Sequence, residues 1–498
     1  MQEHFDVLIV GAGLSGIGAA HHLQRRCPGK SYAILEGRDA IGGTWDLFRY
    51  PGIRSDSDMY TMGYSFRPWT NPKAIADGAS ILDYIRDTAR ESGIDRHIRF
   101  NSRVTRAEWS SDTAAWTVEV RRRAPNNGGG GEIDRYTCNF LFMCSGYYRY
   151  SAGYLPEFKG TERFKGIVVH PQTWPEGLDY AGKRVVVIGS GATAVTLVPE
   201  LAKTAAHVTM LQRSPTYIVS RPAEDALANW ARQHLPAKLA YQLTRWRLVL
   251  LGMWFYRLCK KKPDQVKALI AKGVRAELGE DFDVATHFTP RYNPWDQRLC
   301  LVPDADLFQA MKSGRASIVT DTIDTFTENG LKLKSGRELE ADIIVTATGL
   351  VLELLGGMEV SVDGRRVDFS KALNYRGAMY SDVPNLASAF GYTNASWTLK
   401  CDLTCEFVCR LLNAMEKRGV RQATPRNRDP SIGERPWVDF SSGYIQRSID
   451  RFPKQGSKRP WRLYQNYALD ILNLRFGRLD DGVLEFSNPN PDRLTRAA

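Results

Sequence analysis

Long apolar runs are missing from this 498-residue chain. No stretch approaches the roughly 18 consecutive apolar residues of a bilayer-spanning helix, so the chain is not expected to cross a membrane. Its first residues lead straight into a strand-like segment, with no basic stretch followed by an apolar one, so secretion is not expected. Cysteine is sparse, and the eight present are spread out, which reads as reduced thiols. Cys401, Cys405 and Cys409 recur every fourth residue and would share one helix face. No histidine accompanies them, so packing as small apolar side chains is expected ahead of a metal or redox role. The absence of a Cys-x4-Cys after Gly42-Gly43 disfavours a disulfide reductase. Zinc-finger, RNP and helix-turn-helix signatures are also missing, so nucleic acid is not an expected partner.

The length suggests two or three domains, each burying its own interior. A charged fraction of 24% beside 43% hydrophobic residues is that of an ordinary globular protein. The net charge of +12 favours anionic partners such as cofactor phosphates or acidic membrane surfaces. One apolar run, 248–256, is flanked by Arg245, Arg247, Arg257 and Lys260, Lys261 and Lys262. Two readings stay open for it: a core or dimer-packing helix, or an interfacial membrane anchor. The expected location is cytoplasmic, with peripheral contact at the inner face of the cell membrane as the open alternative, and the oligomeric state is left undecided.

The chain carries one grammar twice. An apolar β-rich run over residues 5–10 precedes Gly11-Ala-Gly13-Leu-Ser15-Gly16, a helical stretch to about Cys27, and a second strand over 32–36 that ends on Glu36. The pattern returns as a strand over 184–188, Gly189-Ser190-Gly191-Ala192-Thr193-Ala194, a helix to about Lys203 and a strand over 207–211. In such a fingerprint the first glycine permits a tight turn, the second lets backbone approach a pyrophosphate, and the third allows close helix–strand packing. The helix N-terminus then offers amide donors and a positive dipole end. Glu36 stands where a carboxylate accepts both ribose hydroxyls of FAD or NAD. After the second copy the strand runs into Gln212-Arg213-Ser214, where Arg213 can pair with a 2′-phosphate and Ser214 can donate to it, which favours NADPH over NADH.

The expected fold is therefore α/β, with two Rossmann-like dinucleotide-binding domains, one for FAD and one for NADPH, and a helical insertion. The first part of the FAD-binding domain is assigned to 1–150 and a linker to 151–178. The NADPH-binding domain takes 179–346, with a helical insertion at 222–289 that is rich in Trp, Leu, Arg and Lys and is expected to shape substrate access. The FAD-binding domain returns at 347–424, and 425–498 form a C-terminal extension packed on it. Residues 126–131, Asn-Asn-Gly-Gly-Gly-Gly, read as a flexible hairpin tip.

Gly42-Gly43-Thr44-Trp45, followed by Tyr50-Pro51-Gly52-Ile53-Arg54-Ser55-Asp56, resembles the FAD-contacting segment of Baeyer–Villiger monooxygenases. Residues 164–175 match that family's fingerprint, Phe-x-Gly-x-x-x-His-x-x-x-Trp-Pro, at Phe164, Gly166, His170, Trp174 and Pro175, and they lie just before the second glycine motif as in the family. The similarity runs along nearly the whole chain and is strongest to the EthA-type enzymes, in 43–60, 294–300 and 391–400. It implies FAD contacts from Gly11, Gly13, Ser15, Gly16, Glu36, Thr44, Trp45, Asp46, Leu47, Asp56 and Val104. It implies NADPH contacts from Arg54, Ser55, Gly189, Ser190, Gly191, Ala192, Thr193, Ala194, Arg213 and Ser214. The family's catalytic arginine falls on Arg298, and here Gln297 precedes it where many members have lysine, which leaves more of the phosphate contact to Arg213.

The resemblance implies an FAD-dependent, NADPH-consuming oxygenase that uses O2 to convert ketones or aldehydes to esters or lactones and also oxygenates sulfides or thioamides. Arg298, always protonated, is suited to stabilising the anions of the oxygen-transfer step, with Asp56 holding it in place. Two readings stay open for Trp45 and Trp397: walls of the flavin pocket, or aromatic core packing. His170 is assigned to coupling domain movement with NADPH binding in preference to proton transfer. Two alternatives remain: a flavin-containing N/S-monooxygenase, disfavoured by Trp174-Pro175, and a non-enzymatic flavoprotein-like scaffold, disfavoured by the second glycine motif.

Overall fold

A strand buried on both faces needs a continuous apolar run, and Glu3–Val10 ends in one, with Val7, Leu8, Ile9 and Val10 all buried. In the computed structural model, which describes residues 3–122 and 131–489, this strand lies between Ile133–Met143 and Tyr32–Leu35 and is parallel to both. The helix Leu14–Arg26 makes the crossover. The sheet continues to Ile98–Arg99 on one side and through an antiparallel meander, Ala115–Arg122 and Ser102–Ser110, on the other. Trp109 and Trp116 face each other across that meander with ring centroids 5.5 Å apart, both fully buried, and anchor the core behind it. The chain returns to this sheet through Glu359–Val362, beside Ser102–Ser110, and Leu386–Ser388, beside Ile133–Met143. Of the expected hairpin tip, residues 126–130 lie outside the described residues.

A second sheet is parallel throughout, in the order Ala316–Thr320, His207–Gln212, Arg184–Ile188, Ile343–Thr346, Ile167–Val169. Its first crossover is the helix Ala192–Leu201, two residues shorter than the sequence suggests. Two dinucleotide-type α/β units are thus present, as expected.

Within the second unit, between His207–Gln212 and Ala316–Thr320, residues 222–289 are helical, with Ala226–His234, Ala237–Lys261, Pro263–Leu278 and Val284–Phe288. The two short parallel strands Ile218–Arg221 and Cys300–Pro303 form their own two-stranded sheet against the core of the second unit and clasp the ends of this excursion, so residue 298 emerges beside that core and not among the helices. The long helix Trp397–Lys417 packs on Leu14–Arg26 and buries Cys401, Cys405 and Cys409. Burial pushes the Cys401 thiol up to about 12, so it stays a neutral, packing group at ordinary pH.

Candidate functional site

At the first glycine loop the backbone leaves no room for side chains. Gly11 has φ +106°, and a Cβ there would meet the Cys144 carbonyl oxygen at 2.6 Å; one on Gly16 would meet the Gly11 oxygen at 1.8 Å. Gly13 caps the helix Leu14–Arg26 and faces Gly43, the cap of the one-turn helix Thr44–Leu47 that carries Thr44, Trp45, Asp46 and Leu47. Glu36, one residue past the second strand, is buried. Its two oxygens accept from Ala12 N at 2.7 Å and Arg38 N at 2.9 Å. Burial raises its pKa, with those two amides and the Arg38 guanidinium opposing. Ser102 N donates to the Glu36 carbonyl, and this brings the strand bearing the buried Val104 alongside.

Asp46 is 1% exposed and collects three arginines, Arg38 at 2.7 Å, Arg49 at 3.0 Å and Arg86 at 3.2 Å. Its carboxylate is therefore engaged within the protein. Arg38 Nη1 is buried beside Glu36 and Asp46 with no hydrogen-bond partner among the described residues, a donor that a cofactor hydroxyl or phosphate would satisfy. Sequence reasoning missed Arg38. Its only signal was a basic residue two positions after the acidic strand end. The tight glycine cradle, the buried carboxylate and this donor fit an ADP-ribose moiety of a dinucleotide.

The second loop repeats the geometry. Gly189 has φ +131°, and a Cβ there would meet the Ala347 oxygen at 2.4 Å, whereas one on Gly191 would meet nothing, so space lies in front of the helix Ala192–Leu201. Ala192 and Thr193 open that helix and Ala194 is buried under it. Ser190 Oγ bonds Thr216 Oγ1 at 2.8 Å and the Ser214 carbonyl at 3.4 Å, tying the loop to the strand end. Arg213 and Ser214 are exposed, and Arg213 makes no ion pair among the described residues. Loop 50–56 packs against the same helix. Arg54 is paired with Asp306, with Nη2 to Oδ1 at 3.3 Å, and Ser55 is buried with its hydroxyl accepting from Ala76 N at 3.2 Å. Both expected NADPH contacts at 54 and 55 thus already have protein partners. Asp306 had no sequence signal.

Arg298 follows a strained turn in which Trp295 has φ +67°. Its Nη2 donates to Asp56 Oδ2 at 2.5 Å. Burial lowers the guanidinium pKa, but Asp56 and then the hydroxyls of Tyr444, Tyr147 and Tyr148 outweigh it and leave it raised, so Arg298 is a permanent cation. It lines a cavity whose other walls are mostly aromatic, Tyr147, Phe390, Trp397, Trp437, Phe440 and Tyr444 among them, with Leu352, Val438 and Ile445 between. Trp397 stacks on Tyr147 at 4.8 Å and donates from Nε1 to Ser15 Oγ at 3.1 Å, which joins the cavity to the first glycine helix. Trp45 stands against the same core cluster as Trp397.

The helical insertion supplies none of the residues lining this cavity. The C-terminal extension does so instead, through Trp437, Phe440, Tyr444 and Phe452, and Ser441 N binds the Asp296 carbonyl at 2.8 Å to close the wall over Arg298. That extension is therefore more than a covering of the first domain. His170 does not line the cavity either: its Nδ1 accepts from Gln172 N at 3.1 Å, and Gln172 Nε2 donates to the Arg149 carbonyl at 2.8 Å, so the linker turn is fastened to the first domain. Burial lowers the His170 pKa, with carbonyl contacts from Gly349 and Tyr154 opposing, and favours the neutral ring. Trp174 packs into the core of the second unit.

The family description "Flavin-binding monooxygenase-like" matches residues 6–230. The FAD-containing monooxygenase EthA of Mycobacterium tuberculosis is 55% identical over 488 residues, 98% of each chain. A probable FAD-binding monooxygenase AlmA of an Acinetobacter species is 48% identical over 489 residues, 98% of this chain and 97% of that one. Among solved structures, an oxidized steroid monooxygenase bound to NADP superposes with TM-score 0.74 at 22% identity over 97% of this chain and all of the other. Cyclohexanone monooxygenase in an open crystal structure gives 0.71 at 21% identity, over 98% of this chain and all of that one.

Proposed function

Because the chain belongs to the flavin-binding monooxygenase-like family, we propose that it is an NADPH-dependent FAD monooxygenase of the Baeyer–Villiger type, inserting one oxygen atom of O2 into ketones and also oxygenating sulfides or thioamides. The single observation behind the Baeyer–Villiger branch is Arg298, a permanent cation held by Asp56 on the wall of a mostly aromatic cavity. FAD belongs at the first glycine loop and NADPH at the second. When bound they supply the chemistry of hydride acceptance and O2 reduction.

The residues of the chain have separate tasks. Glu36, Arg38 and the Gly11–Gly16 turn bind and orient the first nucleotide, and Arg213 with Ser214 select the phosphorylated form of the second. The aromatic walls exclude water, which would screen charge. Arg298 stands on that wall as a preorganised donor for the negative charge that develops on the substrate carbonyl oxygen as it is attacked, and Asp56 fixes its orientation. A sulfur substrate develops no such oxyanion, so Arg298 matters less to it. A screen that follows NADPH consumption and identifies products tests the reading: esters or lactones from ketones support it, and sulfoxides with no ester from any ketone would leave only the N/S-monooxygenase alternative.

A further inference from the structure

The helices of the insertion leave apolar surface in solvent. Along Ala237–Lys261, Leu239, Leu243, Trp246, Leu250 and Trp254 are between 41% and 60% exposed. Steps of four, three, four and four residues put them on one line of the helix. The opposite face holds the helix to the first domain: Tyr241, Arg245 and Leu248 are buried, and Arg245 Nη1 donates to the carbonyls of Tyr60 at 2.7 Å and Gly63 at 2.8 Å. The outward line is thus a second, unused apolar face. Leu227 and Trp230 on Ala226–His234 are as exposed, and Trp246 touches Tyr467 at 5.7 Å, after which Leu472 and Phe476 also stand in solvent. An apolar surface of this extent marks an interaction site.

Charge identifies what it meets. Ala237–Lys261 contains no aspartate or glutamate and six cations, Lys238, Arg245, Arg247, Arg257, Lys260 and Lys261. Arg245, Arg247 and Lys260 have carboxylate partners, whereas Lys238, Arg257, Lys261 and Lys262 make no ion pair among the described residues. Arg257 and Lys261 continue the apolar line beyond Trp254. A second copy docked on this helix face would bring like charges together, with no acid on the helix to answer them. No helix of the described residues is long and apolar enough to cross a bilayer. We propose that this face lies flat on an anionic bilayer, with Trp246, Leu250 and Trp254 at the acyl boundary and Arg257, Lys261 and Lys262 on headgroup phosphates. The proposal does not depend on which reaction the enzyme performs.

Co-sedimentation of the FAD-loaded, full-length protein with sucrose-filled vesicles tests it. The protein should pellet with vesicles of phosphatidylglycerol and phosphatidylcholine and stay in solution with phosphatidylcholine alone. Arg257→Gln/Lys261→Gln/Lys262→Gln should weaken binding about a hundredfold, from three surface charges. Trp246→Glu/Leu250→Glu/Trp254→Glu should weaken it roughly tenfold or more, with melting temperature and NADPH oxidation in solution unchanged. Failure to pellet with the anionic vesicles, or equal binding by the apolar variant, would overturn the proposal. So would light scattering that shows a dimer abolished by the apolar variant and no vesicle binding.

Discussion

Replacing Arg298 by alanine separates the two halves of the proposed reaction. The guanidinium is 2.5 Å from Asp56 and its side chain is one-third exposed, so solvent screens it on the open side, while the side toward the cavity faces mostly aromatic walls. Loss of one preorganised donor to a developing oxyanion lowers turnover by roughly 10²–10³, or about 2.7–4 kcal/mol. Formation of ester from a ketone should fall by that factor. FAD content should be unchanged, because both glycine loops are intact, and anaerobic bleaching of the flavin by NADPH should stay within a few-fold of the parent rate. The ion pair is partly exposed, so its loss costs at most about 1 kcal/mol of stability and the melting temperature should barely move. Product analysis by chromatography, beside stopped-flow reduction, gives both numbers. Ester formation at the parent rate by Arg298→Ala would refute the assignment, and simultaneous loss of FAD, reduction and product would show that Arg298 is structural.

Arg213→Ala should raise KM for NADPH about 10- to 100-fold through loss of a charge-assisted contact to phosphate, and leave KM for NADH unchanged in steady-state assays. Gly16→Ala should yield a colourless protein, since the added Cβ falls 1.8 Å from the Gly11 oxygen, and the ratio of flavin to protein absorbance measures it. Arg245→Ala should lower stability by about 3–5 kcal/mol in denaturant titrations, because Arg245 is 3% exposed and its removal strands several carbonyls and weakens the field on Asp402. Burial, helped by His22 and Arg25, lowers the His21 pKa to about 4, with Asp402 opposing. The unfolded chain takes up that proton near pH 6.5, so stability present above pH 6.5 is lost as pH falls toward 4, and His21→Gln should flatten the melting-temperature profile in that window.

Much of this molecule is written locally. A strand, a tight glycine turn and a helix are contiguous in sequence, so both dinucleotide units could be read from period and spacing, as could Glu36 at one strand end and Arg213 at the other. The insertion was legible as helical for the same reason. Arg298 and Asp56 were reached by resemblance, not by spacing, because 242 residues separate them. What covers Arg298 was not legible at all: residues 437–452 carry no periodic signal, and only the closure of Ser441 onto Asp296 sets Trp437 and Tyr444 over the cavity. Asp306 against Arg54, and the three arginines on Asp46, likewise join loops whose approach depends on how the two sheets pack. The sequence by itself determined the two nucleotide cradles, since their chemistry lies within a few residues of chain. Only the tertiary structure decided the shape of the cavity and the outward face of the insertion, since both are set by contacts between segments hundreds of residues apart.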